Sequence, residues 1–381
     1  MRKLLLTLLL VFSAVLFVGC QGNSYEIAMV TDYGDITDQS FNQSTWEAVK
    51  DYAETNKKSY AYYKPAGDST AERVAKVEQA IKKGAKIVVM PGFAFAETVY
   101  EMQDEYPDVK FVALDVAQGD VEGCFYVDPY AAEPVLKDAN NQPHISSNVV
   151  LVVFQEEEAG YLAGYAAVKN GERSLGFLGG MAVPAVVRYG YGYLQGIADA
   201  AAELEVEVKV WYIYGGQFFG DATIKASMDQ WVSDGCKTIF ACGGGIFTSV
   251  LDAIAGKTGH NLIGVDVDQS LTLPNDPVLT SAMKGLRDAT ITCLDAFYNN
   301  AWDGGKAVTY GLKTDTTKEY VGLPRATWSM DGFTIEDYNA VLAKIRAGQI
   351  TIDPSHTKDV TEFGNQYVKF QNTDNLGGSI K

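Results

Sequence analysis

The sequence predicts an α/β protein of two doubly wound lobes, each built on a parallel sheet and meeting the other across a crevice. Three observations carry that prediction. Short β-branched and aromatic runs alternate with amphipathic helical stretches from residue 25 onward, which is the rhythm of βαβ units. Of 381 residues, about 360 follow an N-terminal leader, more than one core usually spans. The rhythm also breaks over Asp128 to Asn148, a polar stretch holding Pro129, Pro134, Pro143 and Asn140-Asn141, and then restarts.

The leader comes first. Arg2 and Lys3 precede an apolar run from Leu4 to Val18 that ends in Gly19-Cys20. A basic start, a short apolar run and a small residue before the cut describe a secretory signal. The run is shorter than the ~20 residues that span a bilayer comfortably. A cysteine directly after the glycine marks a bacterial lipoprotein cleavage site, with Phe17 standing where leucine is usual. The expectation is therefore a signal over 1–19, lipidation at Cys20 and a short tether over 20–24, held to the membrane by buried lipid methylenes.

In the first half, strands are expected at Tyr25 to Val30, Tyr60 to Tyr63, Ile87 to Met90 and Val109 to Leu114. Helical patterns lie between them at about Ser40 to Asn56, Ala71 to Lys83 and Phe95 to Glu105. After the polar stretch, strands are expected at Val149 to Val153, Leu175 to Leu178, Val206 to Ile213, Thr238 to Ala241, Leu262 to Val265 and Val278 to Met283. Helices follow near Leu286 to Trp302 and Ile335 to Ala347. The polar stretch reads as the junction between lobes. That reading gives an N-terminal lobe over 25–147 plus about 276–325 and a C-terminal lobe over 148–275 plus about 326–381. No sequence repeat or transmembrane helix is read in the mature chain.

Composition narrows the function. A net charge of −17 leaves no basic excess to neutralise phosphates, which argues against nucleic-acid binding. Only three histidines occur, His144, His260 and His356, without metal-ligand spacing. There is no nucleophile elbow. Gly256-Lys257-Thr258 resembles the end of a phosphate loop, but Leu251 stands where its first glycine is needed. Asp266 and Asp268 begin like a calcium loop, yet Leu271 occupies the position that requires glycine. The sequence reads as a binding protein rather than an enzyme, with no cofactor. Cys124, Cys236, Cys242 and Cys293 are too sparse for a disulfide scaffold.

Ligands bind beyond the carboxyl ends of parallel strands. Thr31-Asp32, Pro91-Gly92-Phe93 and Asp115 end strands of the first lobe, and Gly215-Gly216-Gln217-Phe218, Cys242-Gly243-Gly244-Gly245 and Asp266 end strands of the second. An isolated aspartate at such a place is more often a helix cap. Several in both lobes favour a shared binding crevice.

Asp32 with Asp38-Gln39-Ser40-Phe41-Asn42-Gln43 resembles the opening motif of the basic membrane lipoprotein family, the PnrA-like purine nucleoside receptors of ABC importers. Phe154-Gln155-Glu156-Glu157-Glu158-Ala159-Gly160-Tyr161-Leu162-Ala163-Gly164-Tyr165, Gly176 to Met181, Gly264 to Gln269 and the tail after Gly348 resemble the same family in order. The 128–148 stretch is the main departure, being longer than the family pattern. The resemblance implies the type I periplasmic-binding fold, in which two lobes close around a ligand.

Carried onto this chain, the resemblance implies a purine nucleoside whose base is sandwiched by Phe41 and Phe218, one from each lobe, with Phe219 as the neighbouring alternative. An offset aromatic stack adds ~0.5–1.5 kcal/mol beyond the area it buries. Asn42 and Asp115, with Asp32, would hydrogen-bond the base edge. Asp266 would accept from ribose hydroxyls, and Lys284 would donate to the sugar. Gly243 or Gly244 would let the backbone approach the ligand closely. The implied partners are an ABC permease and, through Cys20, the outer surface of the cell membrane, with the receptor acting as a monomer and no nucleic acid. A sugar or signalling ligand on the same fold, coupled to a permease or a sensor kinase, is the alternative.

Overall fold

The structure is a computed structural model that describes residues 24–315 and 317–380. The leader and Cys20 lie outside the described residues. Among those described, no helix is long and apolar enough to cross a membrane.

Among the described residues thirteen strands form two sheets. They are, in chain order, β1 (Ile27–Val30), β2 (Tyr60–Tyr63), β3 (Ile87–Pro91), β4 (Lys110–Leu114), β5 (Val149–Phe154), β6 (Ser174–Gly179) and β7 (Val208–Tyr214). There follow β8 (Thr238–Cys242), β9 (Asn261–Asp266), β10 (Val278–Lys284), β11 (Lys306–Tyr310), β12 (Val321–Gly322) and β13 (Val368–Phe370). The first sheet is ordered β11-β5-β4-β3-β1-β2 and is parallel throughout. The second is ordered β12-β10-β9-β8-β6-β7-β13, with only β12 antiparallel. The central strands are buried along their whole length, which is why they read as continuous apolar runs.

The sheets correct the expected lobe boundaries. β5 pairs with β4 and β11, so it belongs to the first lobe, and β10 pairs with β9, so it belongs to the second. Strands buried on both faces carry no local mark of which sheet will accept them. The polar stretch consequently lies within the first lobe and does not join the lobes. It forms an antiparallel excursion in which Val127 N donates to Val135 O at 2.8 Å and Lys137 N to Phe125 O at 2.8 Å.

Over the described residues the chain crosses between lobes three times. The first crossing follows β5, where the Glu156–Asn170 helix packs on the Pro184–Leu204 helix of the second lobe. Glycines allow this close approach: a Cβ on Gly160 or Gly164 would collide with the backbone of Tyr189 or Tyr193, and one on Gly192 or Gly196 with that of Glu157 or Tyr161. The second crossing follows β10, where the Leu286–Tyr298 helix packs on the first-lobe helix Phe41–Thr55. The third runs from β11 to β12.

The lobes repeat one another in topology although the sequence shows no repeat. β2, β1, β3, β4 and β5 match β7, β6, β8, β9 and β10 in order. The match reaches the backbone: Gly92 after β3 and Gly243 after β8 have φ of 128° and 136°, while Asp115 after β4 and Asp266 ending β9 have φ of 60° and 65°.

Candidate functional site

A cavity of about 370 Å³ lies where the strand ends of the two sheets meet, within the range of small-molecule sites, ~300–1,000 Å³. Its wall includes all nine residues proposed from sequence as ligand contacts, four from the first lobe and five from the second.

On the first-lobe side, the turn after β1 is organised by Asp32, whose Oδ1 accepts from the backbone N–H of Tyr33 at 2.7 Å and Gly34 at 2.6 Å. The Phe41–Thr55 helix starts on Ser40, but Asp38 provides the cap. Its carboxylate accepts from the backbone N–H groups of Ser40 (2.9 Å), Asn42 (2.9 Å) and Gln43 (3.0 Å), donors a helix start leaves unpaired. Asn42 Nδ2 also turns inward, to Asp38 Oδ2 at 3.2 Å and Asp32 Oδ1 at 3.4 Å, while its Oδ1 is buried without a protein partner. Capping by Asp38 leaves the Ser40 hydroxyl free for the other lobe. Ser40 Oγ donates to Asp266 Oδ2 at 2.6 Å, and Gln269 Nε2 donates to Gln39 O at 3.2 Å beside it.

On the second-lobe side, Phe218 follows β7 and rests on a shelf of glycines. A Cβ on Gly243 would come 2.7 Å from the Phe218 ring, one on Gly244 would come 2.7 Å from its carbonyl oxygen, and one on Gly180 would overlap the ring itself. Gly243 and Gly244 thus seat Phe218, in addition to lining the cavity themselves. Phe218 is half-buried, whereas Phe219 is 51% exposed at the rim.

Lys284 is the buried cation of the cavity wall. Its Nζ lies 2.6 Å from Asp115 Oδ2 and 3.1 Å from Glu156 Oε1. It also sits 5.1, 5.4 and 5.5 Å from the ring centres of Phe41, Phe154 and Tyr189. Burial works against its charge, yet Asp115, Glu156 and Asp266 hold its pKa above the ordinary lysine value. Asp266 is pushed up to about 6 by burial and by Asp115 and Asp38, against the pull of Lys284 and Ser40. Burial likewise raises Asp32 and Asp38.

Two groups outside the sequence-based set complete the site. Tyr189 lines the cavity, and its hydroxyl is buried without a partner. Arg188 Nε lies 2.6 Å from Glu156 Oε2. The sequence signal for this pair was present. Arg188 is the lone charge between Arg173 and Asp199, and Glu156 is the first of three glutamates opening a helix whose residues 159–168 carry no charge; buried charges require partners. Among the described residues no cluster could hold a metal ion, and Cys124, Cys236, Cys242 and Cys293 are unpaired.

The family model described as ABC transporter substrate-binding protein PnrA-like matches residues 25–352. Basic membrane protein A1 of Borrelia garinii subsp. bavariensis is 28% identical over 322 residues, covering 82% of this chain and 86% of its own. The ABC transporter nucleoside-binding protein BmpA of Lactococcus lactis subsp. cremoris is 27% identical over 318 residues, covering 79% and 82%. Among solved structures, an ABC transporter solute-binding protein from Aeropyrum pernix superposes with a TM-score of 0.65 at 21% identity, covering 88% of this chain and 89% of that one. The architecture is the type I periplasmic-binding fold expected from sequence.

Proposed function

The chain belongs to the PnrA-like family of ABC transporter substrate-binding proteins, which carry solutes and are not enzymes, and on that premise we propose that its cavity captures a purine nucleoside for delivery to the membrane permease. The observation that carries this reading is the composition of one cavity wall. Phe41 and Phe218 come from opposite lobes, and Asp32, Asn42, Asp115, Asp266 and Lys284 stand around them. Two aromatic faces suit a flat base. Carboxylate acceptors and an ammonium donor suit an uncharged sugar, whose hydroxyls both donate and accept. The excess of carboxylates disfavours anionic ligands. The nucleoside-binding name of the Lactococcus relative agrees with this reading.

In this reading Phe41 and Phe218 stack on the base, Asn42, Asp115 and Asp32 address its edge, and Asp266 and Lys284 hold the ribose. The protein works as an exported monomer, tethered through lipid on Cys20 to the outer face of the cell membrane. Calorimetric titration of residues 22 onward, stripped of carried-over ligand, tests it with inosine, guanosine, adenosine, cytidine, ribose and adenine. Sub-micromolar binding of a purine nucleoside, with ribose and adenine much weaker, is expected. Silence from every nucleoside in folded protein would sink the nucleoside reading and turn the search to sugars and signalling molecules.

A further inference from the structure

Glu156 does not line the cavity, yet it is fully buried directly behind Lys284. Its two oxygens face two cations: Oε1 lies 3.1 Å from Lys284 Nζ, and Oε2 lies 2.6 Å from Arg188 Nε. Their positions in the chain give the contact its meaning. Glu156 begins the helix that follows the first interlobe crossing, and Lys284 ends the strand that precedes the second. Asp115, the other partner of Lys284, belongs to the first lobe. The ammonium is therefore held between one group of a lobe and one group of the hinge.

We propose that Glu156 is a positioning residue: from the hinge between the lobes it fixes the Lys284 ammonium at the cavity wall and, through Arg188, ties that ammonium to the second-lobe helix Pro184–Leu204. The inference deepens the nucleoside reading and rests on it for the identity of the ligand.

Stability alone is a poor reason for such an arrangement. Burying ions is costly, and replacing a buried pair with apolar side chains is often neutral or stabilising. A positional role accounts for it. An ammonium has three N–H donors. Asp115 accepts a hydrogen bond from it at 2.6 Å and Glu156 holds it by charge at 3.1 Å, from different elements, which leaves donor capacity for a ligand hydroxyl. The start of a helix also favours an anion at Glu156. Burial alone would raise the Glu156 pKa, but Lys284 and Arg188 outweigh it and hold the value below the usual carboxylate range. The glycine-mediated contact between the Glu156–Asn170 and Pro184–Leu204 helices brings Arg188 within reach.

The test uses the full chain in detergent and the variant Glu156→Gln, which removes the charge and keeps the shape. A purine ribonucleoside should bind about tenfold more weakly, the scale of one charge-assisted hydrogen bond. The free base should change less than twofold, because Lys284 serves the sugar. In a Lys284→Met background, Glu156→Gln should add no further loss, since the two act as one unit. In ligand-free protein, Lys284 should react faster with an amine-directed acetylating reagent once Glu156 is neutral.

Equal losses for nucleoside and base, additive losses in the double variant, or unchanged Lys284 reactivity would each overturn the proposal. If the parent protein binds no nucleoside, the ligand reading falls, and the acetylation rate still decides whether Glu156 holds Lys284. Should Glu156→Gln fail to fold, Arg188→Gln frees only the outer oxygen and should give the same pattern on a smaller scale. Unchanged binding and reactivity in that variant would overturn the tie to the second-lobe helix.

Discussion

Ser40 Oγ and Asp266 Oδ2 meet at 2.6 Å across the cavity, joining the helix start of one lobe to a strand end of the other. Hydrogen bonds to charged groups contribute ~1.5–3 kcal/mol. Ser40→Ala removes this bond without touching the Asp38 cap. It should weaken nucleoside binding by about tenfold or more, on the scale of 1.4 kcal/mol per decade, as read by calorimetry. Unchanged affinity would mean that the bond does not contribute to the ligand-binding state.

The two adjacent phenylalanines should separate cleanly. Phe218→Ala should nearly abolish nucleoside binding, while Phe219→Ala, at the exposed rim, should change it only a few-fold. Gly180→Ala should imitate Phe218→Ala, because its methyl group would occupy the space of the Phe218 ring. Titration of the three variants with one purine nucleoside checks the set. The reverse ranking of Phe218 and Phe219 would move the stack to the rim residue.

Binding should weaken in acid. Burial pushes the Asp266 pKa up to about 6 in the ligand-free protein, and only its charged form leaves both oxygens free to accept. Affinity should therefore be flat above about pH 7 and fall as pH drops through 6, by at most tenfold per unit for one proton. The groups acting on it are Lys284, Ser40, Asp115 and Asp38. Asp266→Asn should remove that slope, and a slope that survives would assign it elsewhere.

Glu157 makes a separate prediction about stability. It is buried, its Oε2 has no hydrogen-bond partner, and Arg188 Nε lies 3.9 Å away. Burial and the neighbouring charges of Glu156 and Glu158 push its pKa up to about 8, against the weaker pull of Arg188. The folded protein then keeps a proton that the unfolded chain releases near 4.5. Stability contributed by this group is fully present below that value and is lost as pH rises toward 8, with no further change above it. Glu157→Gln should leave stability near pH 4.5 unchanged and raise it at pH 8, by an amount on the order of a few kcal/mol. Thermal melts of both proteins at the two pH values measure this directly. A variant no more stable at pH 8 would show that Glu157 is solvated or paired.

Much of the site was readable because strand ends are local features. Asp32, Asp115 and Asp266 each end an apolar run, and a parallel sheet sends all such ends to one side. Phe41 and Phe218 were found through motif resemblance and not through periodicity, since an aromatic at a helix start reads equally well as core packing. Ser40, Tyr189, Glu156 and Arg188 were not selected. Their significance lies in partners 226 residues away for Ser40 and 32 residues away for Arg188.

By itself the sequence determined the α/β class, the strand and helix order and the side of the sheets on which chemistry gathers, because these follow from hydrophobic period and turn residues along a few neighbouring positions. Only the tertiary structure decided that β5 and β10 exchange lobes, that the 128–148 stretch is an excursion of the first lobe, and that Lys284 sits between Asp115 and Glu156. Those outcomes depend on which buried strands pair and how closely two helices pack. A doubly buried strand looks the same in either sheet, and a charged side chain reveals its partner only after the chain has folded around it.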